Sequence, residues 1–220
     1  MRRLALTWMV TLVVAACGVT GPPPSASPSA AAAPIGWSDK EWGDPPLRVA
    51  LPGDWDAVFP FPTTDPAAMA SLLPDQRKSA DWFNRMVASG SVRLFAGGSI
   101  ATSSGSFDGG SIVVVVESGD DSLTAFADRS IRELNDQLGV RLSQVARSPV
   151  VVPFGAAERL EYSVDAIGDW PAFVETDYLV RLADGRSLTV SISGIDQAAS
   201  NKIVTEFAGR VISTLSARIP

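Results

Sequence analysis

Histidine is absent from the 220 residues, and cysteine occurs once, as Cys17. The first absence excludes the commonest general base, every serine–histidine–aspartate triad and imidazole metal ligation. The second excludes intrachain disulfides and thiolate metal clusters. Lysine is nearly as scarce, with Lys40, Lys78 and Lys202 only, and 24 Asp and Glu outnumber 18 Lys and Arg. A formal charge of −6 does not suit nucleic acid, whose phosphates require clustered basic side chains. What chemistry remains belongs to carboxylates, Lys, Tyr and Ser, and no metal or organic cofactor is expected.

The position of the lone cysteine is informative. Arg2 and Arg3 form a positive start, and Leu4 to Val14 an apolar stretch too short to span a bilayer stably, so the opening reads as an export signal. Val14, Ala15 and Ala16 then stand directly before Cys17. This run resembles the lipobox of bacterial lipoproteins. The resemblance implies cleavage after residue 16 and acylation of Cys17, placing the protein on the extracytoplasmic face of the cell membrane. An ordinary signal peptide with a chance cysteine is the alternative. Losing both arginines with the signal makes the remaining chain more acidic by two charges, so anionic lipid offers no electrostatic docking and the acyl chains are the expected membrane contact.

Residues 17–34 continue as Pro, Ser and Ala without charge or large apolar groups beyond Val19, a composition expected to act as a linker. At roughly 3.1 Å per residue in polyproline-like form, it would hold a domain up to about 50 Å from the membrane. Residues 35–220 are long enough for one domain with a substantial core.

Periodicity within that domain predicts a short strand at Leu47 to Leu51, a helix from Asp75 to Ser89 stopped by Gly90, and a shorter helix at Asp65 to Leu73. Val92 to Ala96 and Ile112 to Val116 read as paired strands joined by a Gly/Ser-rich loop. The second is apolar at every position, so both of its faces should be covered and it should be central. A helix is expected over Ser122 to Leu138, capped by Asp120, Asp121 or Ser122 and ended by Gly139. Strand segments follow at Val150 to Val152, Leu160 to Val164 and Thr176 to Leu182, then an Asp184-Gly185 hairpin to Leu188 to Ile192. A last helix is predicted over about Asp196 to Ser216.

This order describes an α+β fold, an antiparallel sheet flanked by helices. Leu51-Pro52-Gly53-Asp54-Trp55, Val113 to Glu117 leading into a Ser122 helix, Val151 to Ala157 before the Leu160 strand, and the Asp184-Gly185-Arg186 hairpin are similar to the PsbP-like fold, including the actinobacterial Lpq-type lipoproteins. The resemblance spans residues 45–217 and implies an α/β/α sandwich acting as a binding or assembly module. The segment between Trp55 and Gly90 and the Gly/Ser-rich loop depart from that pattern.

Four aromatic residues are the candidate ligand or partner surface: Trp55, Phe59 and Phe61 in an irregular segment stiffened by Pro60 and Pro62, with Trp82 on the following helix. Core packing is the competing expectation for them. Gly97 to Gly110 lacks the Lys and following helix of a phosphate loop, so a mobile hairpin connection is expected. Glu117, Asp120 and Asp121 suit a helix N-terminus better than a calcium site. Glu161 and Asp165, with Glu175 and Asp177, are expected on the side of their strands opposite Tyr162 and Tyr178, as solvated or helix-facing positions.

The expectation from these features is a membrane-tethered, non-enzymatic module that binds an apolar small molecule or an envelope protein. Two other classes remain open: a carboxylate-based hydrolase of the envelope, and an assembly factor with protein partners alone. A buried pair of carboxylates about 5 to 10 Å apart in a cleft would favour the hydrolase, and an apolar pocket behind Trp55 would favour small-molecule binding.

Overall fold

The computed structural model describes residues 28–57, 81, 84–119, 122–137, 142–166, 172–194 and 201–217. Cys17, Phe59, Phe61, Trp82, the 65–73 segment, Asp120, Asp121 and Gly139 lie outside them.

Seven strands form one antiparallel sheet. They are β3 (Asp56–Ala57), β4 (Val92–Thr102), β5 (Gly105–Glu117), β6 (Leu142–Val152), β7 (Gly155–Val164), β8 (Phe173–Arg181) and β9 (Ser187–Gly194), in the order β3-β4-β5-β9-β8-β7-β6. A second sheet pairs β1 (Trp37–Gly43) and β10 (Ser216–Ala217) with β2 (Pro46–Pro52) between them. Two helices complete the described elements, α1 (Leu123–Gln137) and α2 (Asn201–Ser213), and residues 84–88 are also helical. The protein is therefore α+β with a mostly antiparallel sheet, as its residue pattern predicts.

The sheet has two unlike faces. Ile112, Val114, Tyr178, Val180, Leu188, Val190 and Ile192 point to one side, into a cluster with Leu47, Val49 and Leu51 of the small sheet and with α2. Helix α2 fits there because Ile203, Val204, Phe207, Ala208, Val211 and Ile212 fall on one stripe, all buried. On the other side Leu160, Tyr162, Val164 and Leu179 meet Phe126 and Ala127 of α1. The Ser122 hydroxyl accepts the Ala125 N–H at 3.2 Å, as an N-cap does, which selects it from the three candidates.

Several expectations need correction. Residues 97–110 are strand, not a mobile connection: β4 and β5 run on as one long hairpin whose turn is Ser103-Ser104. Their glycines serve packing. A Cβ on Gly98 would sit 2.6 Å from the Trp55 ring, and one on Gly110 would sit 2.5 Å from Ile100. The turn is held by Glu206 of α2, which accepts from the Ser103 and Ser104 hydroxyls at 2.7 Å each and from the Ser103 N–H at 2.9 Å.

The last helix ends at Ser213 rather than Ser216, and the chain turns there to pair Ser216 with Arg48 in β10. Leu215 is buried by that turn and not by a helical stripe. Strands β1 and β10, and the first part of β6, carry no clear alternation of apolar residues and were not anticipated. The linker also reaches the domain, since the Ala31 N–H donates to the Ser213 carbonyl at 2.7 Å.

Candidate functional site

Trp55 is a core residue, which corrects its expected place on a groove. Its ring is 0% exposed, stacks on Phe207 at 5.2 Å between centroids, and donates its indole N–H to the Ser99 carbonyl at 2.9 Å. Gly98 lets the ring lie flat on the β4 backbone. Trp37 meets the same Phe207 from the side, at 5.4 Å, so the described aromatics near the N-terminal sheet fill the interior. Phe59, Phe61 and Trp82, the rest of the expected surface, lie outside the described residues.

A cavity of about 180 Å³ lies against the opposite face of the large sheet, between β5, β7, β8, β9, α1 and the helical residues 84–88. Strand alternation builds it. Along β5 the even-numbered Ile112 and Val114 go to the α2 side, which leaves Val113, Val115 and Glu117 to line the cavity. The register of β7 with β8 sets Tyr162 opposite Glu175 and Leu160 opposite Asp177, so these four side chains share the cavity's face. Thr189 and Ser191 of β9 and Ser130 and Glu133 of α1 complete the polar lining, while Met86, Leu134, Val164 and Phe173 supply apolar walls.

Glu175 and Asp177 stand opposite Tyr178 of their own strand, as alternation predicts, and therefore on the Tyr162 side of the sheet, apart from Glu161. Tyr162 and Tyr178 face opposite sides of the sheet, because Tyr178 pairs with Arg159 and not with Tyr162. Glu161 goes with the other face, where Arg159 holds it at 2.8 Å. Asp177 is only 3% exposed and faces α1 across the cavity, so of the two expected characters, solvated or helix-facing, the second holds.

The electrostatics of this floor follow from burial. The Tyr162 hydroxyl donates to Asp177 Oδ2 at 3.0 Å. Asp177 Oδ1 is buried and has no hydrogen-bond partner among the described residues. Glu175 lies within hydrogen-bonding reach of Asp177, and desolvation followed by repulsion from Asp177 pushes its carboxyl well above the ordinary 4.5. Desolvation raises Asp177 too, opposed by Ser191 and Tyr162. Two carboxyls in contact cannot both ionise cheaply, so the pair holds a proton to higher pH than a free carboxyl would, Glu175 more strongly than Asp177. Tyr162 is held neutral, its hydroxyl raised well above 10.0 first by burial and then by Asp177 and Glu175. At the end of β5, Glu117 is raised by desolvation and by Glu133, with Arg129 opposing.

Chemically, the arrangement is an apolar chamber with an acidic, proton-sharing floor. The carboxyl pair is closer than the separations of about 5–5.5 Å or 6.5–9.5 Å at which two carboxylates flank a glycosidic bond. Among the described residues, no group of three or more acidic or thiol side chains gathers closely enough to hold a metal ion. No described helix is long and apolar enough to cross a membrane.

No protein-family model matches the chain, and no curated protein matches it. Among solved structures, a mutant of the protein Mog1 is similar with a TM-score of 0.44 and 13% identity, over 82% of this chain and 95% of that one. No functional reading follows from so distant a likeness.

Sequence reasoning placed the acidic residues of β8 at solvated or helix-facing positions and missed that they are buried together beneath α1. One signal was present: Glu175 and Asp177 alternate with Val174, Thr176, Tyr178 and Val180 in a strand whose partners β7 and β9 are themselves apolar, so neither face of it had water to offer.

Proposed function

We propose that the protein is a lipid-anchored extracytoplasmic module that binds a small molecule with an apolar body. The observation that carries this reading is the cavity of about 180 Å³, walled by Val113, Val115, Leu134 and Phe173 and floored by polar groups. Small-ligand sites share this composition, an apolar lining with a few convergent polar side chains. An engineered apolar cavity of about 150 Å³ holds benzene, so the space suits one ring or a short branched chain with a head group. Cys17 supplies the anchor and the Pro/Ser/Ala segment the spacer. We assign the sandwich to the PsbP-like class on the residue resemblance, which adds support for binding over catalysis.

The test is native mass spectrometry of the protein taken from its source membrane. The expected result is a polypeptide starting at an acylated Cys17, with a non-covalent small-molecule adduct that disappears in Val113→Trp. An unmodified Cys17 would overturn the anchor, and a wild-type protein without adduct the binding role.

One observation favours a second reading, a hydrolase using carboxyl acid–base chemistry: Glu175 and Asp177 lie in contact inside a cavity, with both carboxyls raised by desolvation. Turnover of ester or peptide probes by the wild type, lost in Glu175→Gln, would establish it. An assembly role remains the alternative if neither adduct nor turnover is found.

A further inference from the structure

We infer that the ligand's head is a cationic amine, seated on the Glu175–Asp177 pair at the floor of the cavity. The inference rests on the binding role proposed above and specifies its chemistry. Asp177 is 3% exposed, Tyr162 satisfies its Oδ2, and its Oδ1 meets no partner among the described residues. A buried carboxylate oxygen without a donor costs free energy that a ligand donor recovers. Ser191 and Glu175 also reach the Asp177 carboxyl, yet neither makes a well-aligned bond to Oδ1.

A donor alone does not match the charge of the site. Glu117 on β5, Glu133 on α1, and Glu175 and Asp177 on β8 all line the cavity, and among the described residues no Lys or Arg lines it. Arg129, the cation nearest Glu117, lies over the Phe126 ring at 5.2 Å and beside Glu133 at 3.8 Å. An anionic head would meet four carboxyl groups. A hydroxyl would fill Oδ1 and leave the negative charge unbalanced. A primary ammonium carries three donors and the compensating charge, and a charge-assisted bond to a buried carboxylate is the strongest polar contact available there. The apolar walls then fix the rest of the molecule as hydrocarbon, a primary amine on a ring or short chain.

Proton bookkeeping adds a second consequence. The groups facing the pair are Tyr162 from β7, Ser191 and Thr189 from β9, Glu117 from β5, and Glu133 from α1, with Arg129 beyond it. An arriving ammonium stabilises the ionised form of Glu175, so the share of proton still held there is released to solvent as the amine binds. The amine keeps its own.

The experiment uses the full-length lipoprotein in lipid nanodiscs and three probes of matched size: phenethylamine, 2-phenylethanol and 3-phenylpropionate. Calorimetry in two buffers of different ionisation enthalpy reads affinity and proton release together. Phenethylamine should bind roughly tenfold to a hundredfold more tightly than 2-phenylethanol, the range of a hydrogen bond to a charged group, and 3-phenylpropionate should not bind. Asp177→Asn should erase that preference, and Val113→Trp should abolish binding of every probe. Glu175→Gln should keep the preference and lose the proton release, which supplies the decision if Asp177→Asn does not fold. Equal binding of amine and alcohol, blocked by Val113→Trp, would overturn the ammonium while leaving the binding role intact. Unaltered proton release in Glu175→Gln would also remove the carboxyl pair as the seat. Failure of all three probes on the wild type would overturn both readings.

Discussion

At the scale of single residues, identical chemistry was put to opposite uses by position. Trp55 carries a polar N–H and a large apolar ring, and the fold satisfies both inside the core by giving the N–H to Ser99 and the ring to Phe207. Trp55→Ala should therefore cost about 3–5 kcal/mol in urea denaturation, the usual range for deleting a buried aromatic ring. A cost below 1 kcal/mol would return Trp55 to the surface. Glu175 makes the opposite bargain, keeping a proton that the unfolded chain would release. Below its ordinary pKa of 4.5 both states hold the proton; above that value only the folded state does, so this group lowers native stability as pH rises toward its elevated folded value. Glu175→Gln removes the penalty. Its melting temperature should match the wild type near pH 4 and exceed it at pH 8, and an unchanged pH profile would show that the carboxyl is not desolvated.

Among the elements, β5 and the β4–β5 hairpin matter most. The run Ile112 to Val116 announces a strand with both faces covered, and β5 indeed lies inside the sheet between β4 and β9. Its two faces are nonetheless unequal: Val114 is fully buried against the α2 side, while Val113 lines the cavity. Val114→Asp should abolish cooperative unfolding by circular dichroism, because a carboxylate there has neither water nor a cation. Val113 need not share that cost, contrary to what a uniformly apolar run suggests. The hairpin tip depends on Glu206, whose carboxyl is lowered from 4.5 to about 2, chiefly by the Ser104 and Ser103 hydroxyls. A depressed carboxyl stabilises above its unfolded pKa and loses that contribution as pH falls through its folded one. Glu206→Gln should thus flatten the acid limb of the stability curve between pH 4.5 and about 2, read by fluorescence, and the two proteins should respond alike below that window.

For the whole molecule, the large sheet separates two compartments. One side holds the packed interior of α2, the small sheet and Trp55; the other holds α1 and the acidic cavity. That division keeps the proposed binding site apart from the main source of stability, since the cavity's carboxyls lie away from the largest apolar cluster. The proposed anchor is separate again, and Cys17→Ala should leave the domain's thermal unfolding unchanged while moving the protein out of the washed membrane fraction into the soluble or unprocessed pool. Retention of a processed Cys17→Ala protein on membranes would point to another attachment.

The residues by themselves determined the α+β class, the interior place of β5, the Ser122 cap, the Asp184-Gly185 hairpin and the stripe of α2, because each depends on spacing within one segment. They also carry the Cys17 motif, which is local by nature. Tertiary structure decided the rest. Whether Trp55 is a groove or a core depended on Phe207, about 150 residues away in the chain, whose stripe brings it beneath the ring. Whether the glycines of β4 and β5 form a loop or a ladder depended on which side chains cross them. Above all, the site arose from register: alternation tells which residues of β7 share a face and which residues of β8 do, but only the pairing of Tyr162 with Glu175 joins the two sets. A shift of one residue would have sent Glu175 and Asp177 to the other side of the sheet from Tyr162, and no local pattern encodes that choice.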